Sequence, residues 1–196
     1  MSILWIVAIV ITVFLLLLLV MLGLRKINFD AIHHNFLELV DEVNGKVIRR
    51  GFAVRPRLVG TYKGQEFSVS ITTDKSEGKR LYYIGVSMRG KSQFAFSILD
   101  NASIRDLEIV PERRERMRPV FDDRYSVEVD RKDQLNWLKI DKIEQAINGV
   151  HPFGYVLVGR SNMILERAVD NIFDNTKAEV LRPLLEGLSN LHKAAS

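Results

Sequence analysis

Cysteine is absent from this chain of 196 residues. That removes disulfides, thiolate metal sites and a cysteine nucleophile together, and it agrees with a reducing compartment. Phosphate cradles are missing too. Neither G-x-x-x-x-G-K-[ST] nor G-x-G-x-x-G occurs, so no glycine-rich loop is offered to a nucleotide. "VGRSNM" holds Ser161 but is not a G-x-S-x-G nucleophile elbow. Charge is missing from residues 3–24, and no basic side chain precedes them. A cleaved signal peptide needs a basic start, an apolar core of about 7–15 residues and a small-x-small cleavage site. This run is too long, and "MLGLRK" supplies no such site.

What is there instead is a span. Residues 3–24 carry Thr12 as their one polar side chain. At about 1.5 Å per residue they make a helix of roughly 33 Å, enough to cross about 30 Å of hydrocarbon. A continuous helix also satisfies every backbone N–H and C=O in lipid. Thr12 can bond back to the Ala8 carbonyl, and Trp5 suits an interface. Arg25 and Lys26 follow at once. By the positive-inside rule they place the C-terminal side in the cytoplasm, on the inner membrane, and the first two residues outside.

The remaining 170 or so residues suit one domain or two small packed ones. Charge is uneven along them. From Arg25 to Pro119 there are 18 Lys and Arg against 12 Asp and Glu, and from Val120 onward 10 against 12. The basic half is the one nearer the membrane in sequence, where an anionic leaflet would attract it.

The periodicity then outlines an α+β fold: a single N-terminal transmembrane helix, an antiparallel β-meander lobe and a β-α-β-β-α lobe. The expected boundaries are 1–26 for the anchor, 27–110 for a helix plus meander, 111–119 for an Arg-rich connector and 120–196 for the second lobe. Phe29, Ile32, Phe36, Leu37, Val40 and Val43 recur at helical spacing, capped by Asn28 and ended by Asn44-Gly45. This helix either continues the anchor or bends from it. The period next becomes two. Phe67, Val69 and Ile71 share a face, "LYYIGVSM" and "QFAFSIL" alternate likewise, and a strand at about 57–62 precedes them. Tyr62-Lys63-Gly64-Gln65 is expected to close one hairpin and Arg89-Gly90-Lys91-Ser92 another. "PERRERMRP" is read as an exposed connector bounded by Pro111 and Pro119. Beyond it come a strand with Tyr125, Val127 and Val129 inward and a helix from Asp130 to Asn148-Gly149. A hairpin across Arg160-Ser161-Asn162 and a Leu-striped helix at about 176–193, with Pro183 inside, complete the chain.

"GTYKG", then "FDDRYSVEVD", a Leu-rich helix, a hairpin and a Leu-stripe terminal helix together resemble bacterial membrane-anchored proteins classed as a domain of unknown function. The similarity covers about 60–64 and 121–191. It implies a membrane-anchored domain and brings no catalytic residues with it.

No constellation of chemistry stands out. His33 and His34 are adjacent, about 100° apart on a helix, whereas paired zinc ligands want a spacing of three or four. Asp122 and Asp123 point to opposite faces of an extended segment and cannot share a proton. No catalytic, cofactor or metal site is therefore assigned. Arg25, Lys26, Arg113, Arg114, Arg116 and Arg118 are the candidate contacts to an anionic lipid surface or a protein partner. The arginine clusters could bind nucleic acid, but the tether argues for lipid head groups or protein instead. The expected function is a non-enzymatic, membrane-anchored interaction or accessory subunit, docking on a membrane protein complex or anionic lipid. A tethered enzyme or small-ligand sensor with a site between the lobes is the alternative.

Overall fold

The computed structural model describes residues 3–51, 54–76, 79–104 and 110–195. Met1 and Ser2, expected outside the membrane, lie beyond that range. α1 (Ile3–Val40) is one helix of 38 residues, so the anchor and the amphipathic helix after it are a single rod. Among the described residues its apolar span packs on nothing else. Thr12 Oγ1 bonds the Ala8 carbonyl at 2.8 Å. Lys26 and Asp30, four apart, pair at 2.7 Å across the junction, a spacing that supports the helix there. Beyond it Phe29, Ile32, Phe36 and Leu39 are buried, with Val43 just past the end. Their steps of three and four make a narrow stripe. Leu37, expected on that stripe, is off it and 47% exposed.

The strands are β1 (Lys46–Ile48), β2 (Arg57–Tyr62), β3 (Gln65–Ser76), β4 (Lys79–Arg89), β5 (Phe96–Asp100), β6 (Met117–Val120), β7 (Tyr125–Val129), β8 (Tyr155–Val158) and β9 (Asn162–Val169). They form one nine-stranded sheet in the order β1-β2-β3-β4-β9-β8-β5-β7-β6, and every pair is antiparallel. The strands before and after residue 120 thus share a sheet, with the β8–β9 hairpin seated between β4 and β5. A short α2 (Asn101–Ile104) follows β5, and stretch 111–119 contributes α3 (Pro111–Arg114) and the first residues of the edge strand β6.

Two expectations are corrected. β4 and β5 do not form a hairpin across Arg89-Gly90-Lys91-Ser92. β4 pairs with β9 over eight positions, Tyr82 with Val169 through Arg89 with Asn162, while β5 has only five residues to offer. The Gly90 and Ser92 amides donate instead to Ser161 and Arg160 carbonyls of the β8–β9 loop, at 3.1 and 3.2 Å. The helix expected from Asp130 is also divided, into a 3₁₀ turn (Lys132–Trp137) and α4 (Ile140–Asn148). The five-residue step from Leu138 to Ile143 does not fit one helical stripe.

One face of the sheet holds the core. Leu58, Val69, Val86, Leu165, Val156, Ile98 and Val127 lie in register across seven strands, all fully buried. The buried part of α1, α4, α5 (Ile172–Asn175) and α6 (Ala178–Ala195) cover this face. α6 runs through Pro183 and buries Leu181, Leu184, Leu185, Leu188 and Leu191. Tyr125, Val127 and Val129 face inward as expected, and the Tyr125 ring stacks on Phe153 at 4.3 Å. Asn35 ties α1 to α5 by donating to the Phe173 carbonyl at 2.8 Å and the buried Thr176 hydroxyl at 3.0 Å. At the far end of α1, Arg182 grips the Glu42 carboxylate with two N–H groups.

Candidate functional site

The opposite face of β2, β3, β4 and β9 is turned to solvent, with Thr61, Glu66, Thr72, Arg89 and Glu166 exposed on it. Its centre is small and polar, while Val59, Tyr83 and Ile164 share the same face further out. Ser68 stands opposite Ser87, Ser70 opposite Gly85, and Gly85 opposite Glu166. The pattern follows from period two: each serine alternates with a core residue, Phe67, Val69, Ile71, Val86 or Met88. An open cleft of about 760 Å³ lies on this face, lined by Asn44, Arg57, Ser68, Ser87, Arg89 and Asn162 among others. Arg57 donates to the Ser68 hydroxyl at 2.8 Å and Arg89 to Glu66 at 2.7 Å. A second open cleft, about 780 Å³, adjoins it beside Gln65, Lys91 and His192. There the His192 Nε2 accepts the Lys91 amide N–H at 3.1 Å, joining α6 to the loop after β4.

The candidate basic residues divide into two groups. Arg25 lies over the Phe29 ring at 5.4 Å, and Lys26 pairs with Asp30, both just past the span. The 113–118 group sits at the other end of the sheet order, eight strands along from β1. Within that group Arg113 makes a two-pronged pair with Glu128, 2.9 Å on each bond, and the Glu128 carboxylate holds its guanidinium above the ordinary value. Arg116 donates to the Asp130 carbonyl at 3.2 Å. Arg114 and Arg118 are exposed. The structure does not bring the two groups together.

The histidines are scattered. His33 is half-buried and His34 exposed on α1, while His151 lies 5.4 Å from the Phe121 ring. Among the described residues no group of three or more His, Asp or Glu is placed to hold a metal ion. Phe121, Asp122 and Asp123 all take positive φ, 55°, 51° and 60°, and make the turn between β6 and β7.

Sequence reasoning missed two features. Tyr62 donates to Glu186 at 2.7 Å beside Lys63, which reaches the same carboxylate at 2.6 Å. Burial first and Glu186 second push the Tyr62 hydroxyl up to about 12. Arg167 lies on the core side of β9 opposite the fully buried Ile84, and burial lowers its guanidinium below the ordinary value. An Arg two residues after Leu165 in an alternating strand was the available signal for the second.

No family model matches the sequence, and no curated protein matches it. Among solved structures, the crystal structure of the mycobacterial trehalose monomycolate transport factor A, TtfA, is similar at a TM-score of 0.49 and 7% identity, over 82% of this chain and 96% of that one. A likeness of that grade carries no argument about function. The resemblance drawn from 60–64 and 121–191 therefore finds a distant likeness to one bacterial protein and no family of unknown function. The chain is an α+β domain behind one N-terminal membrane-spanning helix.

Proposed function

We propose that this is a non-enzymatic, membrane-anchored accessory protein whose domain docks on a membrane protein complex through the open face of its sheet. The observation that carries the proposal is α1. One helix contains both the span and the residues buried in the core, so the sheet is held at a fixed attitude to the bilayer. Anchoring raises the effective concentration of a neighbouring membrane partner into about the millimolar range, so modest polar contacts suffice. The non-enzymatic part is supported by the cleft's own chemistry, since Arg57 and Arg89 are engaged by Ser68 and Glu66. Arg25 and Lys26 support an inner-membrane, cytoplasmic placement. Arg114 and Arg118 are open to an acidic rim on the partner.

A second reading, a small-ligand sensor, is favoured by the cleft of about 760 Å³, a size typical of ligand sites. Photo-crosslinking of the full chain in native membranes separates the two. With a photoreactive residue at Ser87, one discrete adduct is expected, matching a protein that copurifies in mild detergent at fixed stoichiometry. The same residue at Asp141, exposed on the outer side of α4, should give none. A monomer carrying a small molecule by native mass spectrometry, without adducts, would replace the first reading by the second.

A further inference from the structure

The end of the apolar run fixes the height of everything attached to α1. Each residue past Leu24 stands about 1.5 Å further along the helix, so Asp30 lies about 9 Å beyond the run. Asp30 holds both Lys26 and Arg49. At the distal end the Val43 carbonyl accepts the Thr61 amide at 2.8 Å. β1 therefore runs back toward the bilayer, antiparallel to α1, and delivers Arg49 and exposed Arg50 to the membrane-proximal end. Arg55 joins them, bonded to the Thr73 hydroxyl at 2.6 Å.

β3 goes further still. Ile48 is level with Arg57, and Arg57 with the residue after Val69 in β3. β3 continues beyond it, and Thr72 and Thr73 stand about 7–10 Å past that level at roughly 3.3 Å per residue. Only about 9 Å separates Asp30 from the apolar run, while a headgroup layer is about 5–8 Å thick. The Thr73–Tyr82 and Thr72–Tyr83 pairs accordingly fall at headgroup height, where tyrosine is favoured. A gap this narrow admits lipid headgroups and not a protein domain or a nucleic-acid duplex.

We infer that this end of the domain, with Arg25, Lys26, Arg49, Arg50, Arg55, Tyr82 and Tyr83, rests on the anionic headgroups of the leaflet that α1 leaves. It is a second membrane contact besides the span. Asp30 and Asp74 lie at this end, with Glu38 and Glu66 further along α1 and β3, and the five basic side chains named outnumber those two. The contact rests on residues 3–24 spanning a bilayer and needs no protein partner.

The lack of cysteine makes the test clean. The full chain is placed in nanodiscs of neutral lipid, or of neutral lipid with about a third phosphatidylglycerol. A fluorophore is attached at Val54→Cys, beside Arg55, or at Asp41→Cys, about 25 Å past Leu24 along α1. A headgroup-linked quencher should remove more than half the emission at Val54→Cys in anionic discs at low salt, and little at Asp41→Cys. Raising salt several-fold, which shortens the Debye length, should reduce that quenching, as should Arg25→Gln with Arg50→Gln, both exposed, at an unchanged melting temperature. Equal quenching at the two positions would overturn the contact. Strong quenching at Val54→Cys that ignores lipid charge, salt and the arginine variant would overturn its anionic basis. The salt series on the unaltered chain decides the matter even if the double variant unfolds. The discs contain no other protein, so neither result bears on the proposed partner.

Discussion

Arg113 and Arg118 are five residues apart and are used differently. Arg113 gives its Nε and one terminal N–H to the Glu128 carboxylate, a fork geometry that arginine fits and glutamine does not. The pair is partly shielded, with Glu128 more so than Arg113. Arg118 is exposed on the edge strand. Arg113→Gln should therefore cost about 1 kcal/mol, a loss of about 2–4 °C in melting temperature for a domain of this size. Arg118→Gln should stay within about 0.5 kcal/mol of the parent. Thermal unfolding of the purified chain in detergent checks both, and equal losses would show that the Glu128 pair is no stronger than a surface charge. The sequence displayed these arginines as one polar run between prolines. It could not show that a turn built on three successive positive φ values, Phe121 to Asp123, folds β6 back on β7 and so delivers Glu128 to Arg113. Asn35 and Thr176, 141 positions apart, were equally beyond spacing rules. Arginine composition was legible; arginine pairing was not.

Elements whose signals are local came through. Tyr62-Lys63-Gly64-Gln65 closes the β2–β3 hairpin because Lys63 and Gly64 both take the positive φ that such a turn demands, 49° and 81°. The leucine stripe of α6 was equally plain, since 3.6-residue periodicity survives any neighbour. Partners of strands are not local. β4 ends at a Gly-containing turn like any hairpin, yet the longer ladder with β9 wins. Gly187 makes the same point inside a helix. Read alone, it is a weak helix former. In the fold α6 meets the end of α4 there, and a Cβ on Gly187 would come within 2.2 Å of Val150 Cγ1 and 3.2 Å of the Ala146 carbonyl. Val150 is buried and cannot retreat into solvent. Gly187→Ala should thus destabilise by about 1–3 kcal/mol through overpacking, despite a helix-propensity gain of up to about 1 kcal/mol. A melting temperature equal to or above the parent's would mean that α4 and α6 slide apart freely. Gly187→Ala combined with Val150→Ala should recover part of the loss, because the second change opens the space the first one needs.

At the scale of the molecule, the anchor and the α+β class were legible because both depend on composition and period. The single sheet was not, since its order depends on pairings such as β4 with β9 and β5 with β8, far apart in the chain. The main consequence is that the anchor helix is also a core helix, and this sets where the domain begins. Phe29, Ile32, Phe36 and Leu39 are 8%, 1%, 0% and 0% exposed, and α1 also supplies Asp30 to Arg49 and Asn35 to Thr176. Burying four such side chains contributes about 1.5–3 kcal/mol each, so together they match the about 5–15 kcal/mol net stability of a typical domain. A chain starting at Arg25 keeps all of them and loses only the lipid-facing span. It should be soluble and unfold in one cooperative transition. A chain starting at Asp41 leaves β1, β2 and α6 uncovered on their core side and should be aggregated or molten, with no cooperative melt by circular dichroism. If residues 41–196 melt cooperatively near the temperature of 25–196, α1 is only a tether, and the fixed attitude of the sheet to the bilayer falls with it. If 25–196 also fails to fold while the full chain in detergent melts cooperatively, the span itself stabilises the domain and the boundary at Arg25 is wrong.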